Sequence, residues 1–384
     1  MVGNKTKTEG VGTVAEEEAD RFPCVLAAPR NFHLFVQDDD DVWSPTLDEI
    51  NAGTYDALKL KRVSFYLDVG LPHGNPMAFA FDGSMIIPRN PHLRSADDAM
   101  DEFNRVVGAM VIGGLGLEQV CSGDLAFGSL YATGYFRYEQ PHGLLPTLHQ
   151  AWGEASAGGY LNIALLDPPR ITKGEVQAAM ASGKPVLDTA QRMDPATLVM
   201  AVSHHAAAEY RNSLLYSWLV VEQLIGQIWD DVFIPAKAAS FQERIGQLRS
   251  SARTPAVRIE FLAEAGLIDR KLYRYVKRAR NARNELIHKG SKPDQDDSYF
   301  SLVALTQFLE LICNERGVGF EGKSLLQGVG RRRKRQQSQG VMSAEKANWP
   351  KVSHWRPLKP IPGENSWTGE YERRPGIALV RTLR

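Results

Sequence analysis

The sequence predicts an α+β protein: a strand-rich N-terminal half with one good helix, an all-helical segment after it, and a basic tail. Three observations carry this. Val63, Phe65, Leu67 and Val69 recur at a spacing of two, the mark of a half-buried strand. Met100, Phe103, Val106, Val107, Met110 and Val111 recur at helical spacing, and from Asp194 onward the whole pattern turns helical. Beyond residue 317 large apolar residues give way to Arg, Pro, Gln and Gly. At 384 residues the chain is long enough for two ordinary domains. The predicted division is 1–21 as a disordered N-terminus, 22–166 as an α+β recognition or sensing domain, 167–193 as a linker, 194–316 as a helical bundle and 317–384 as a tail.

Lys plus Arg equals Asp plus Glu at 45 each, so the net charge is zero. That balance argues against a protein that coats nucleic acid by bulk charge and leaves room for a local basic site. Cys24, Cys121 and Cys313 are far apart and form no ligand-spaced pair, which suits free thiols in a reducing compartment. The first 20 residues are polar and acidic, without the apolar core of a signal peptide, and no stretch is apolar enough to span a bilayer. A cytoplasmic protein with no membrane partner is expected.

Taken in order, Cys24 to Ala28 and Phe32 to Val36 are short strand-like runs broken by Pro29. Asp38 to Asp41 form an acidic run without the glycine turn or distant glutamate of a calcium loop, and read as a solvated turn. Met77 to Phe81 and Met85 to Ile87 flank Asp82-Gly83-Ser84, a hairpin. Ser95 is the N-cap of the first amphipathic helix. Asp124 to Glu139 returns to strand composition. His73, His92, His142 and His149 have no ligand spacing with a carboxylate between them and read as loop or packing histidines. Gly113-Gly114-Leu115-Gly116 closes a helix instead of opening one, so it is no dinucleotide fingerprint.

Asp167-Pro168-Pro169-Arg170 marks a boundary, with a short bridging helix around Glu175 to Ala181. Asp194-Pro195 starts the helical segment, an N-cap aspartate with proline at the first helical position. A helix or helix pair spans about 196–232. Glu222 falls within its apolar stripe and either holds Arg280 or Arg283 through a fork-like hydrogen bond or faces water at the stripe's edge. Phe241 to Arg249, Ile259 to Ala265, Asp269 to Lys289 and Ser298 to Asn314 complete the bundle. Gly317 to Ser324 matches the P-loop pattern letter for letter, but a P-loop needs a buried strand before it and a helical run stands there. Arg331, Arg332, Arg333, Lys334 and Arg335 form a basic run suited to RNA phosphates, or to a solvated tail. Trp349, Trp355 and Trp367 beyond it can stack bases or dock on a partner.

The chemistry-bearing stretch is Arg280 to Gly290. On an ideal helix Asn281, Asn284 and His288 share a face, and Gly290 is the C-terminal cap. Arg283 and His288 are rotated apart by about 140°, but the arginine is long and His288 sits where the helix is about to end, so both could still reach one phosphate. A titratable imidazole, a fixed guanidinium and a neutral amide suit phosphate chemistry on RNA, while a solvated basic helix end is the plain alternative.

Arg283-Asn284-Glu285-Leu286-Ile287-His288 resembles the Arg-Asn-x-x-x-His signature of the HEPN superfamily of helical nucleases, and the surrounding helices have a fitting length and order. The resemblance covers roughly a third of the chain. It implies a HEPN-like bundle over 194–316 and a metal-independent endoribonuclease that needs no cofactor. Cleavage would run through the RNA 2′-hydroxyl. His288 would be the general acid or base, Arg283 the stabiliser of phosphate charge, and Asn284 the orienting group. Arg280 would add a second phosphate contact, which the family motif does not require, and Glu222 would support the site by holding Arg280 or Arg283. It further implies a homodimer with a composite site, a toxin or phage-defence setting, and a protein trigger or antitoxin as partner. A HEPN dimer that holds nucleotide, RNA or a partner without cutting, or one that serves only as an adaptor, keeps the same helices.

Overall fold

The computed structural model describes residues 21–71, 74–157, 159–236 and 245–326, all within one compact unit of the chain that ends at Val329. The architecture is α+β, an antiparallel sheet region followed by a helical region. His73, the basic run Arg331 to Arg335 and the three tail tryptophans lie outside the described residues.

Six strands form one antiparallel sheet: β1 (Arg21–Ala27), β3 (Val63–Leu67), β4 (Met77–Ala80), β5 (Met85–Pro88), β6 (Leu125–Tyr131) and β7 (Phe136–Pro141), in the order β3-β4-β5-β1-β6-β7. A short parallel pair, β2 (Leu34–Val36) with β8 (Arg170–Thr172), lies outside it. The sheet curls until its edges meet. Arg62 bridges Tyr135, the Val63 amide donates to Gly134, and the Phe136 amide donates to Lys61. Closure removes the unpaired strand edges that invite aggregation. The curled sheet encloses a small apolar cluster of Cys24, Leu26, Ile86, Leu130, Phe136 and Tyr138. The β4–β5 turn is tight because Gly83 adopts φ +86, a conformation that L side chains rarely take.

The other sheet face is covered by α3 (Ala96–Ile112), which follows α1 (Leu47–Ala52) and α2 (Ala57–Leu60). Ser95 and Asp98 close a capping box at its start, and Phe103, Val107 and Met110 are fully buried. After α4 (Leu144–Gly153), residues 167–193 carry more structure than a linker. They form β8 and α5 (Lys173–Thr189), a 17-residue helix capped by Thr172 and Glu175. The short helix expected at 175–181 is extended because Val176, Ala179, Met180 and Val186 all bury against the core. α3 and α5 cross at backbone contact. A Cβ at Gly183 would sit 1.9 Å from the Ala109 carbonyl oxygen, and one at Gly113 would sit 2.2 Å from that of Ala179.

The helical region comprises α6 (Pro195–Ala206), α7 (Tyr210–Ile228), α8 (Ile245–Ser251), α9 (Pro255–Glu264), α10 (Arg270–Lys289) and α11 (Gln295–Glu315). The 196–232 span is a pair of helices, parted at Ala208 with φ +62, and α7 runs on through a π-helical turn at Trp229–Phe233. α6, α7 and α11 pack closely enough to share buried hydroxyls: His205 with Ser298 at 2.8 Å, Ser298 with Ser213 at 2.8 Å, and Ser217 with Ser301 at 2.6 Å. One apolar cluster runs from Val25 on the sheet, through both crossing helices, to Leu325.

Two local expectations change. Residues 317–326 are packed: Leu325 is fully buried and the Ser324 hydroxyl donates to the Ile112 carbonyl. Gly317 (φ +70) simply ends α11, so the P-loop lettering has no strand before it. In the acidic run, Asp41 is no free turn residue; its carboxylate bridges Lys59 and Arg62.

Gly183→Ala should destabilise the protein by roughly 1–3 kcal/mol, because the helices must part to admit a methyl group. A thermal melt reads this, and an unshifted midpoint would mean that the crossing is not tight. Burial pushes the Cys24 thiol from 9.0 up to about 12. Below pH 9 both folded and unfolded thiols are protonated and nothing changes. Between pH 9 and 12 the unfolded state releases its proton first, so stability falls by about 1.4 kcal/mol per pH unit. Urea midpoints at pH 8 and 10.5 should drop more for wild type than for Cys24→Ala.

Candidate functional site

α10 is the most highly charged element of the described chain, with eight Lys or Arg residues against a single Glu. It stays helical because Leu272, Val276, Ala279 and Leu286 form one buried line, with Asp269 capping its start and Gly290 (φ +67) its end. Tyr275 stacks on Phe300 of α11 at 5.2 Å, and Arg278 pairs with Asp297 at 3.2 Å and lies over Phe300. These contacts fix which way the helix faces.

Opposite the buried line runs a second row. Arg270, Arg274, Lys277, Asn281, Asn284 and His288 follow one another at intervals of four and three, so they lie in line along the axis. Asn284 is half-buried and the other five are exposed. The row extends about 27 Å at roughly 1.5 Å per residue. Among the described residues no carboxylate bridges Arg270, Arg274 or Lys277, and none bridges Arg280 or Arg283 elsewhere on the helix. Like charges held side by side at this spacing repel unless something anionic lies along them.

The motif residues divide between two directions. Arg283 sits next to the buried line, half-buried, and its Nη1 donates to Asn284 Oδ1 at 3.1 Å. His288 lies exposed at the end of the outward row, and among the described residues its ring makes no hydrogen bond. The structure therefore joins Arg283 to Asn284 and leaves His288 apart. Glu222 does not hold Arg280 or Arg283. Its Oε1 accepts from the Trp218 indole at 2.6 Å, one turn back on α7, because that local partner satisfies the carboxylate without a long-range ion pair. Arg280 is half-buried near Tyr273, whose hydroxyl donates to Glu260. That bond holds the phenolic proton on and raises its pKa, with Arg280 acting in the opposite sense.

A second polar cluster joins residues distant in sequence. His149 Nδ1 lies 2.8 Å from Asp82 Oδ2, the Tyr138 hydroxyl donates to the same oxygen at 3.3 Å, and Ser84 Oγ lies 2.5 Å from Tyr138. Burial, then the Asp82 charge, pushes the Tyr138 hydroxyl well above its ordinary value. All four side chains are sealed from solvent, so the cluster ties α4 to the β4–β5 turn and no substrate reaches it. His149 is a packing histidine. Among the described residues no group of three or more His, Cys, Asp or Glu is placed to hold a metal ion, and no helix is long and apolar enough to cross a membrane.

Comparison with known protein families, with characterised proteins and with solved structures finds no match for this chain.

Replacing Arg274 and Lys277 with Ala should weaken binding of single-stranded RNA. The slope of log affinity against log salt should fall by roughly 0.7 for each phosphate contact removed. Filter binding across a salt series measures it, and an unchanged slope would show that the row does not follow a nucleic-acid backbone.

Proposed function

We propose that this chain is a metal-independent endoribonuclease whose site is completed by a second copy of itself. The observation that carries the reading is the outward row on α10, which begins with three unneutralised cations, Arg270, Arg274 and Lys277, and continues through Asn281 and Asn284 to His288, with Arg283 bonded to Asn284. The three fixed charges span about 10 Å, enough for about two successive phosphates of one strand, and the neutral amides carry the row on to the imidazole. The resemblance of residues 283–288 to the HEPN signature supplies the chemistry. The RNA 2′-oxygen attacks the adjacent phosphorus, the bond to the 5′-oxygen breaks, and the products are a 2′,3′-cyclic phosphate and a 5′-hydroxyl. An imidazole takes the 2′ proton or returns one to the leaving oxygen. Arg283 balances the charge that builds on the phosphate.

The geometry of a single chain favours a dimer. Arg283 and His288 diverge by about 140° around the helix, so one copy presents them in different directions. Ile287 is 49% exposed and lies one turn from Arg283, an apolar side chain among charges where a second copy can dock. Two copies meeting there supply two imidazoles, one to accept the proton and one to donate it. A toxin or phage-defence effector is the setting that this activity fits. One observation favours a second reading, in which the same face binds RNA without cutting it: no side chain orients His288.

His288→Ala should reduce RNA cleavage by roughly 10²–10⁴-fold while the protein stays folded, since the residue carries no core. Arg283→Ala should reduce it comparably, and Arg283→Lys should rescue poorly because lysine lacks the planar fork. The double variant should be little worse than either single one if both serve the same step. EDTA should leave the rate unchanged. Single-turnover cleavage of a labelled RNA reads all four. Full activity in His288→Ala would place the chemistry elsewhere, and a wild type that binds RNA but cleaves none would favour the binding module. Ile287→Asp should shift the measured mass in solution from dimer to monomer.

A further inference from the structure

We infer that the sheet region carries a separate binding site for a nucleoside phosphate, in the cavity between the start of α3 and strands β1 and β6. α3 does not cover the whole outer face of the sheet. Val25 on β1 and Phe127 on β6 are direct cross-strand partners and so lie on the same face. Val25 is buried, whereas Phe127 is 37% exposed although β6 is flanked on both sides by paired strands. The β6–β7 ladder also shifts register between Phe127 and Gly128, the kind of irregularity that re-aims a side chain next to a functional site. The uncovered space is a cavity of about 550 Å³, within the ~300–1,000 Å³ range of small-molecule sites.

The lining gives the class of ligand. Its floor is apolar, from Val25, Leu125, Ala99 and the Phe127 ring. His142 stands perpendicular to that ring, with centroids 5.4 Å apart. A flat base has an aromatic surface to lie against there. The charged side chains of the lining are Arg89 and Arg94, with no carboxylate among them. Among the described residues neither guanidinium is bridged to an acid. The nearest candidate, Asp98, is taken up by the helix start, where it accepts from the Arg94 and Ser95 amides at 2.9 Å each. Ser95 and Ala96 also line the cavity. The Ser95 hydrogen bond, and after it the Arg94 charge, help to hold the Asp98 carboxylate below its ordinary range. Two guanidinium forks with an imidazole match a phosphate ester better than a single carboxylate, and the aromatic wall selects a nucleoside over a simple phosphate. The site uses no residue of α10, so it is independent of the ribonuclease reading. Occupancy would give the sheet region a sensing role.

The test titrates full-length protein with ATP, GTP, adenosine, inorganic phosphate and a short acidic peptide by calorimetry. Wild type should bind ATP at least tenfold more tightly than either fragment. The double variant Arg89→Ala, Arg94→Ala should weaken ATP by tenfold or more and leave adenosine unchanged. Phe127→Leu, a conservative change checked by an unaltered melting temperature, should weaken ATP and adenosine by a similar factor. Arg274→Ala with Lys277→Ala should leave ATP binding intact. Absence of binding for both ATP and GTP at about 1 mM would overturn the inference. So would ATP affinity that is insensitive to Arg89 and Arg94 but lost with Arg274 and Lys277, or binding of an acidic peptide but not a nucleotide.

Discussion

The crossing of α3 and α5 at backbone contact is the constraint on which the rest of the molecule depends. Gly183 against Ala109 and Gly113 against Ala179 leave no room for a side chain between the two helices. One helix covers the sheet and the other leads into the bundle, so this contact merges what would be two cores into one. Close approach also lets many weak dispersion contacts form along both helices, and their sum is large although each is small. The two regions thereby share one continuous apolar core.

The sheet solves a different problem. A six-stranded antiparallel sheet left open would expose two edges, and this one curls until β3 and β7 bond to each other. Its interior is then too small for a large core, so the stability of the region rests on the outer face and on the polar knot of Asp82, Tyr138, Ser84 and His149. That knot is buried, and Asp82, Tyr138, Ser84 and the His149 Nδ1 bond one another, while the His149 Nε2 is left without a partner. The closed sheet is also why Phe127 can be exposed: α3 spans only part of a curved surface.

On α10 two demands share one helix. The buried line fixes the helix to α11, and the opposite row concentrates positive charge in a chain whose total is zero. Overall neutrality with local positive charge argues against indiscriminate coating of nucleic acid. In the proposed ribonuclease, the divergence of Arg283 and His288 around the axis is what calls for a second copy to bring them to one phosphate.

The sequence by itself determined the local events, because they depend on neighbours a few residues away. The caps at Ser95, Asp194 and Gly290, the hairpin around Gly83, the amphipathic spacing of α3 and the α+β order were all legible in residue type and period. The cationic row could have been read in full from the same period that placed Asn281, Asn284 and His288 on one face. What only the tertiary structure decided depends on residues far apart in the chain. Lys173–Thr189 become a core helix because Gly113 and Gly183 admit it, a fact visible only when both backbones are in place. Glu222 bonds Trp218 and not an arginine, since a partner one turn away costs less order than one on another helix. The joining of Asp82 to His149 and the opening over Phe127 follow from how the sheet closes, which no local pattern encodes.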